Sequence, residues 1–282
     1  GTLVILPIVG WMELSGMENS AGTLDWSTLY GGETGLKAFL GAVAGLSWGL
    51  GYMGQPHLVV RYMAIDDPKN IRISRRIAIA WAIPAFIGSL FIGLVGAQLI
   101  SGGVLTPVSD PETLMPEMAK TLMHPWIAGI FISGAIAAMM STADSQLLVS
   151  TSVLTEDIIG KYFHHKIGKI NLLTIGRMFT IVIGIIAFYL AWQTKDLVFE
   201  MVSYAWSGLG ASFGPAIVCM LWWKRTTRNG IIAGMLTGAI STIIWKNIEV
   251  LNTMITERLI SFVFAFMAVI IVSLYTKSKK TT

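Results

Sequence analysis

The sequence predicts an all-α polytopic membrane protein. Only 13% of its 282 residues are charged and 54% are hydrophobic, whereas a soluble domain carries about 25% charged residues. Apolar runs close to the roughly 20 residues that a helix needs to cross a bilayer recur along the chain. So few charges cannot cover the surface of a soluble protein of this length, and soluble classes are therefore excluded.

The hydropathy pattern predicts a single transmembrane domain over 1–282. A partial span at 1–12 is apolar from its first residue but too short to cross a membrane. We expect it to be the end of a helix whose beginning belongs to missing N-terminal helices of the same protein. Complete spans are expected near 37–60, 77–101, 125–154, 172–192, 199–223, 230–247 and 259–276. The acidic loop 102–124 is expected to hold a short helix.

Lys and Arg are concentrated in stretches that these spans place on one side. The stretches 61–76, 161–177, 224–228 and 277–280 hold fifteen of the twenty Lys and Arg residues. Cytoplasmic loops carry the excess of basic residues in multi-pass proteins. We therefore expect these stretches and the C-terminus to be cytoplasmic, in a cell inner (plasma) membrane.

Several function classes leave no signal in the sequence. The basic loops lack the aromatic interleaving that is typical of nucleic-acid binding, so no nucleic-acid partner is expected. No nucleotide-binding loop or metal-ligand spacing is present, and no residue set suggests covalent catalysis. The sequence therefore predicts neither an enzyme nor a bound cofactor.

The span 37–60 contains a stretch, SWGLGYMGQPHL at 47–58, that weakens its own helix. Poor helix formers crowd within it: Gly49, Gly51, Gly54 and Pro56. Backbone groups freed in lipid need partners, and transporters use such breaks to hold substrates and ions. Trp48 and Tyr52 have flat apolar rings suited to enclosing a small zwitterion. The alternative is that the glycines only allow close helix packing and the aromatic residues anchor the membrane interface.

The span 125–154 has a hydroxyl-rich face. Ala138, Ser141, Thr142 and Ser145 follow i, i+3, i+4 and i+7 spacing and so share one helical face. Hydroxyls and backbone carbonyls are the neutral oxygens that coordinate Na⁺ in transporters. Interhelical hydrogen bonding is the alternative for these hydroxyls.

Asp144 lies beside this face. An ionised side chain inside a membrane is costly and indicates a function, here a second cation ligand or a proton carrier. The alternative is an ion pair with a basic residue of a missing helix.

The glycine-rich stretch SYAWSGLGASFGP at 203–215 favours a flexible or kinked helix in the span 199–223. Tyr204, Trp206 and Ser207 are then candidates to face a cavity. Tight helix packing is an equal alternative for this stretch.

These motifs resemble the sodium/solute symporter family. WGLGYMGQPH before VRYMA, AAMMSTADSQLLVSTS before TED, and SYAWSGLGASFGP before WWKRTTRNG keep the family's order over nearly the whole chain. The resemblance implies part of an inverted-repeat fold of the leucine-transporter type. This chain then holds core helices six to ten and two further helices, and core helices one to four are missing.

The resemblance also implies roles for single residues. Trp48, Tyr52 and Pro56 match positions on core helix six that bind proline. Together with the residues singled out above, the expected substrate contacts are Trp48, Tyr52, Gly49, Gly51, Pro56, Tyr204 and Ser207. Ala138, Ser141 and Thr142 match the half of the main sodium site on core helix eight, whose other half lies on core helix one. Asp144 and Ser145 sit where some relatives place a second sodium, although other proline symporters carry a neutral residue at 144.

The resemblance implies Na⁺-coupled uptake of L-proline by alternating access. The expected partners are L-proline or a similar small solute, Na⁺ as the coupling ion, and the lipid bilayer. Two alternatives stay open: another small solute such as pantothenate or another carboxylate, and a symporter-like sensor module of a histidine kinase. A channel is least favoured because no filter sequence is visible.

Overall fold

The computed structural model describes residues 1–16, 35–162, 172–194, 197–248, 250–251 and 255–276. No strand occurs in these residues. The α-helices, in chain order, are α1 Thr2–Ser15, α2 Leu36–Leu46, α3 Trp48–Tyr52, α4 Pro56–Met63, α5 Asn70–Ser101, α6 Leu114–Leu122, α7 Pro125–Ser152, α8 Leu172–Gln193, α9 Val198–Trp222, α10 Arg228–Asn247 and α11 Glu257–Tyr275. A 3₁₀ turn, Pro111–Thr113, precedes α6, and α7 continues into a π-helix, Val153–Gly160.

Five of the described helices are long and apolar enough to cross a membrane: α5, α7 with its π-helical continuation, α8, α9 and α11. Large apolar side chains point outward from them. Trp81, Trp126 and Trp192 are 74%, 81% and 78% exposed. Water penalises such exposure, whereas lipid does not. The chain is therefore a multi-pass, all-α membrane protein.

The observed helices differ from the predicted spans in their boundaries. The span 37–60 is divided among α2, α3 and α4. Helix α5 begins at Asn70, before the predicted start at 77, and α11 begins at Glu257. Helix α10 covers the span 230–247 but is not among the five membrane-length apolar helices.

The short helix expected in the loop 102–124 is present as α6. Most of the basic stretch 161–177 and all of 277–280 lie outside the described residues. The complete set of spans and the single domain stay predictions.

One compact unit consists of residues 1–25 and 65–195. Helix α1 packs against α5 at Gly88, where an added Cβ would overlap the backbone of Leu3. Leu6, Leu99 and Met118 are fully buried at the centre of this unit's hydrophobic core. Helix α7, which carries the hydroxyl-rich face, packs against α8 in the same unit.

A second compact unit consists of residues 26–64 and 196–282. Helices α9, α10 and α11 pack against one another, and α3 packs against α9. At Gly238 of α10 an added Cβ would overlap the backbone of Ala211 in α9, so these two helices approach to backbone contact. This unit holds both glycine-rich stretches, and it places the broken helix against α9.

Candidate solute and cation sites

The helix break predicted within 37–60 is observed. Helix α3 ends at Tyr52, and α4 begins at Pro56. Between them, Gln55 has extended backbone angles of φ −79° and ψ 113°. A proline disfavours helical angles in the residue before it, and it suits the first position of a new helix. Pro56 therefore ends the helical path at Gln55 and starts α4.

Two side chains bind the carbonyls around the break. The Gln55 side chain is 2% exposed, and its Nε2 donates to the carbonyls of Gly51 and Trp206, each at 3.4 Å. The Trp206 indole Nε1 donates to the carbonyl of Trp48 at 3.2 Å. Buried backbone groups need such partners, most of all inside a membrane. Carbonyl groups around the break thus receive hydrogen bonds from Trp206 of α9 and from Gln55 within the break itself.

The glycines of the break divide into two kinds. An added Cβ at Gly51 would overlap the indole of Trp206, and one at Gly54 would lie 2.8 Å from Gly210 Cα. Nothing lies within 4 Å of an added Cβ at Gly49. The packing interpretation therefore accounts for Gly51 and Gly54, and only Gly49 lies open.

Three of the predicted aromatic residues, Trp48, Tyr52 and Trp206, meet in one group with Phe199, which the sequence analysis did not single out. We call this group the aromatic cluster. Tyr52 meets the Trp206 ring nearly edge-on, with centroids 4.9 Å apart. The Trp48 centroid lies 6.1 Å from that of Trp206 and 5.4 Å from that of Phe199. Tyr52 is 47% exposed. The cluster is a partly open apolar wall beside the helix break.

Arg258 borders the aromatic cluster. The predicted span 259–276 had left it one residue outside the membrane-spanning helix. It lies in the first turn of α11, and its Cζ is 4.7 Å from the centre of the Trp48 ring. Its Nε donates to Ser47 Oγ at 3.3 Å, and its Nη1 donates to Ser203 Oγ. Thr256 followed by Glu257 is a helix-start pattern, and it could have extended the predicted span to include Arg258.

Ser207 and Tyr204, predicted to contact the solute, lie on α9. Ser207 is 2% exposed, and its hydroxyl is 2.8 Å from the Ser203 carbonyl and 2.9 Å from Glu257 Oε1. This contact joins α9 to α11. Tyr204 is partly exposed. The structure brings Trp48 and Tyr52 together, but it gives Ser207 a partner within the protein.

The predicted cation-binding hydroxyls lie together on α7. Ser141 Oγ and Thr142 Oγ1 donate to the Ala138 carbonyl at 3.0 and 3.2 Å, and Ser145 Oγ donates to the Ser141 carbonyl at 2.8 Å. Ala138, Ser141 and Thr142 are exposed. Asp144 is also exposed and forms no ion pair with a described residue. The regular spacing of residues along α7 is thus enough to bring these hydroxyl and carbonyl oxygens together.

Comparison with known proteins gives consistent matches. The sequence model described as "Sodium:solute symporter family" matches residues 3–238. The chain is 37% identical over 281 residues to the "High-affinity proline transporter PutP" of Bacillus subtilis (strain 168), covering 98% of this chain and 58% of that protein. It is 38% identical over 282 residues to the "Osmoregulated proline transporter OpuE" of the same organism, covering 98% and 56%.

A third relative is the "Sodium/proline symporter" of Escherichia coli (strain K12), 33% identical over 283 residues, covering 98% of this chain and 55% of that protein. The chain thus spans little more than half the length of these curated relatives. No solved structure gives a significant match.

Proposed function

Because the chain belongs to the sodium:solute symporter family, we propose that the full-length protein takes up L-proline together with Na⁺ by alternating access. The observation that carries the proposal is the aromatic cluster beside the helix break. A flat apolar wall next to interrupted backbone suits a small ring-shaped zwitterion. Transporters of several folds hold their solutes at such discontinuous helices. The three relatives described above are named as proline transporters or symporters.

In this proposal Trp48 and Tyr52 contact the proline ring. Pro56 sets the break, and Gly49 leaves open space beside it. The roles of Gly51, Tyr204 and Ser207 as direct contacts are weaker, because Gly51 packs against Trp206 and Ser207 bonds to Glu257.

Ala138, Ser141 and Thr142 supply one half of a Na⁺ site. Support comes from three oxygens gathered within hydrogen-bond distance on α7. The other half belongs to a core helix that precedes this chain in the inverted-repeat fold. The missing N-terminal helices are therefore partners of this chain in the complete site.

Asp144 and Ser145 form a possible second cation site. Asp144→Asn separates this role from a structural one. Loss of a charged ligand is expected to raise the Na⁺ concentration for half-maximal uptake. Unchanged dependence of uptake on Na⁺ and on pH would make Asp144 a structural residue.

Coupling to Na⁺ supplies enough free energy for accumulation. One charge that moves across 100 mV releases about 2.3 kcal/mol, which corresponds to roughly 50-fold accumulation at about 1.4 kcal/mol per tenfold. A single Na⁺ ion per solute is therefore sufficient for uptake against a gradient.

The protein acts in the plasma membrane with its C-terminus in the cytoplasm.

The test is transport by the purified full-length protein in proteoliposomes. An inward Na⁺ gradient is expected to drive accumulation of labelled L-proline, and an equal K⁺ gradient is not. Pantothenate and other small carboxylates serve as competing solutes. Transport of one of them without proline would replace the solute in this proposal. Absence of any Na⁺-driven transport, with a kinase domain in the full-length chain, would favour the sensor.

A further inference from the structure

A zwitterionic solute brings a carboxylate that needs a partner in the site. An unpaired charge in a poorly hydrated place costs several kcal/mol. The backbone amides around the helix break are candidate partners. In the structure Leu50 N donates to Ser47 O at 3.0 Å, and Gly54 N donates to Gly51 O at 3.2 Å. These break amides already have partners within the chain, so the carboxylate needs another donor.

Arg258 has that donor capacity. A guanidinium carries five N–H donors, and the described hydrogen bonds of Arg258 go to two neutral hydroxyls, those of Ser47 and Ser203. No carboxylate lies within ion-pair distance of Arg258 among the described residues. Its acidic neighbours are engaged elsewhere: Glu200 with Lys246 at 3.1 Å, and Glu257 with Ser207. Glu257 and Glu200 attract Arg258 over longer distances, but among the described residues Arg258 is a partly buried cation without an ion-pair partner.

The position of Arg258 ties it to the solute site. Its guanidinium lies over the ring of Trp48, and its Nε bonds to Ser47, which separates α2 from α3. Both contacts are at the start of the stretch 47–58, which contains the helix break. Arginine is the preferred residue for carboxylates because its planar fork donates two parallel hydrogen bonds. The two serines fix the orientation of that fork.

We propose that Arg258 binds the carboxylate of the transported amino acid and so makes the site specific for carboxylate-bearing solutes. This rests on the proposed function, with the solute held at Trp48 and Tyr52. One face of an aromatic ring has room for one cationic group. The Trp48 face under Arg258 therefore does not receive the solute's ammonium, and that group binds elsewhere in the cluster.

The experiment compares L-proline with L-prolinamide, which keeps the ring and the ammonium but lacks the carboxylate. Uptake of labelled proline into proteoliposomes under a Na⁺ gradient gives the KM of proline and the inhibition constant of prolinamide. In the unaltered protein, proline is expected to bind at least about tenfold more tightly, the scale of a lost charged hydrogen bond. In Arg258→Gln, the KM of proline is expected to rise about tenfold or more while prolinamide changes little, so the ratio falls toward one.

Arg225→Gln is the matched control. It removes an exposed guanidinium from the same compact unit, close to Thr227, which contacts Thr276 after the far end of α11 from Arg258, and the ratio is expected to stay unchanged. Arg258→Lys provides a second test of the proposal if the glutamine variant does not fold. It keeps the charge but loses the fork, so the ratio is expected to fall several-fold.

Other results overturn the proposal. Equal weakening of proline and prolinamide in Arg258→Gln, or an unchanged ratio in Arg258→Lys, would mean that Arg258 only supports Trp48. Equal binding of the two compounds by the unaltered protein would mean that the site does not recognise a carboxylate. Absence of Na⁺-driven proline uptake in the unaltered protein would instead contradict the proposed function itself.

Discussion

At the scale of single residues, the same types of side chain have different tasks in different surroundings. Ser207 is buried and bonds to Glu257, whereas Ser141 on α7 is exposed and bonds to its own helix. Trp206 binds the backbone of the helix break, whereas Trp222 is 77% exposed. Residue type alone therefore does not identify a site, and the neighbours decide between structural and functional roles.

Trp48→Ala and Tyr52→Ala are each expected to raise the KM of proline at least several-fold. Each substitution removes part of the apolar wall that would bury the pyrrolidine ring, and apolar burial is worth about 25 cal/mol per Å². Uptake kinetics in proteoliposomes provide the measurement. Trp222→Ala is the control because Trp222 lies outside the aromatic cluster and is exposed. A KM that stays unchanged in both cluster variants would remove these residues from the site.

Ser141→Ala and Thr142→Ala are expected to raise the Na⁺ concentration that gives half-maximal uptake. Each substitution removes one hydroxyl oxygen with little change in volume, so expression is expected to stay near normal. Ser150→Ala is the matched control: its hydroxyl also donates to its own helix, to the Gln146 carbonyl at 2.8 Å. At about 100° per residue, Ser150 is about 180° from Ser141 and about 80° from Thr142 around the helix, so it lies off the face that holds Ser141 and Thr142. Equal Na⁺ dependence in all three variants would make the hydroxyls packing residues.

At the scale of helices, the break is the feature that organises the second unit. Helix α3 has only five residues, Trp48–Tyr52, too few to be stable alone. It is held by contact with α9, by the side chains of Gln55 and Trp206, and by Arg258 from α11. The short helix is therefore positioned by tertiary contacts, and its glycines allow the close approach.

Gly54→Ala is expected to destabilise the protein by about 1–3 kcal/mol, as overpacking does, because the new methyl group would overlap the backbone of α9. Gly49→Ala is the matched control, since its methyl group meets nothing within 4 Å. Thermal unfolding of the purified full-length variants in detergent gives the comparison. Equal melting temperatures for the two variants would show that the contact between Gly54 and α9 leaves room for a methyl group.

The break itself was predictable because its cause is local: Pro56 and the glycines stand in the sequence beside it. Its partners were not predictable in the same way. Trp206 and Trp48 are 158 residues apart in the chain, and Arg258 and Ser47 are 211 residues apart. Hydropathy also left Arg258 outside the predicted span 259–276. A hydropathy pattern marks where apolar residues begin, whereas a helix begins where its backbone hydrogen bonding begins. The start of α5 was predicted late for the same reason, since Arg72, Arg75 and Arg76 occupy its first two turns.

At the scale of the whole molecule, the prediction of a multi-pass membrane protein rested on the low content of charged residues and on the length of the apolar runs. The five membrane-length helices follow directly from uninterrupted apolar runs. The predicted orientation rests on the basic stretches, because Lys and Arg resist translocation. Helix α10, which covers the predicted span 230–247, has a more mixed composition and is not among these five.

Orientation is tested by single cysteines in a Cys219→Ser background, since Cys219 is the one natural cysteine and is buried. A cysteine in place of Glu112 is expected to react with an impermeant maleimide in intact cells. One in place of Asp66, in the basic stretch 61–76, is expected to react only after the membrane is opened. The reverse pattern would invert the membrane orientation and place the C-terminus outside.

The hydroxyl-rich face of α7 has a consequence for the kind of ligand that it accepts. Ser141, Thr142 and Ser145 each direct their proton at a carbonyl of the preceding turn. A hydroxyl has one proton and two lone pairs, so Ser141 and Thr142 have only lone pairs left to present outward. Such a face attracts a cation and offers nothing to a carboxylate, whereas Arg258 offers only protons. In the proposed function, the polarity of the available hydrogen bonds would thus separate Na⁺ from the carboxylate of the solute before any difference in size or shape is needed.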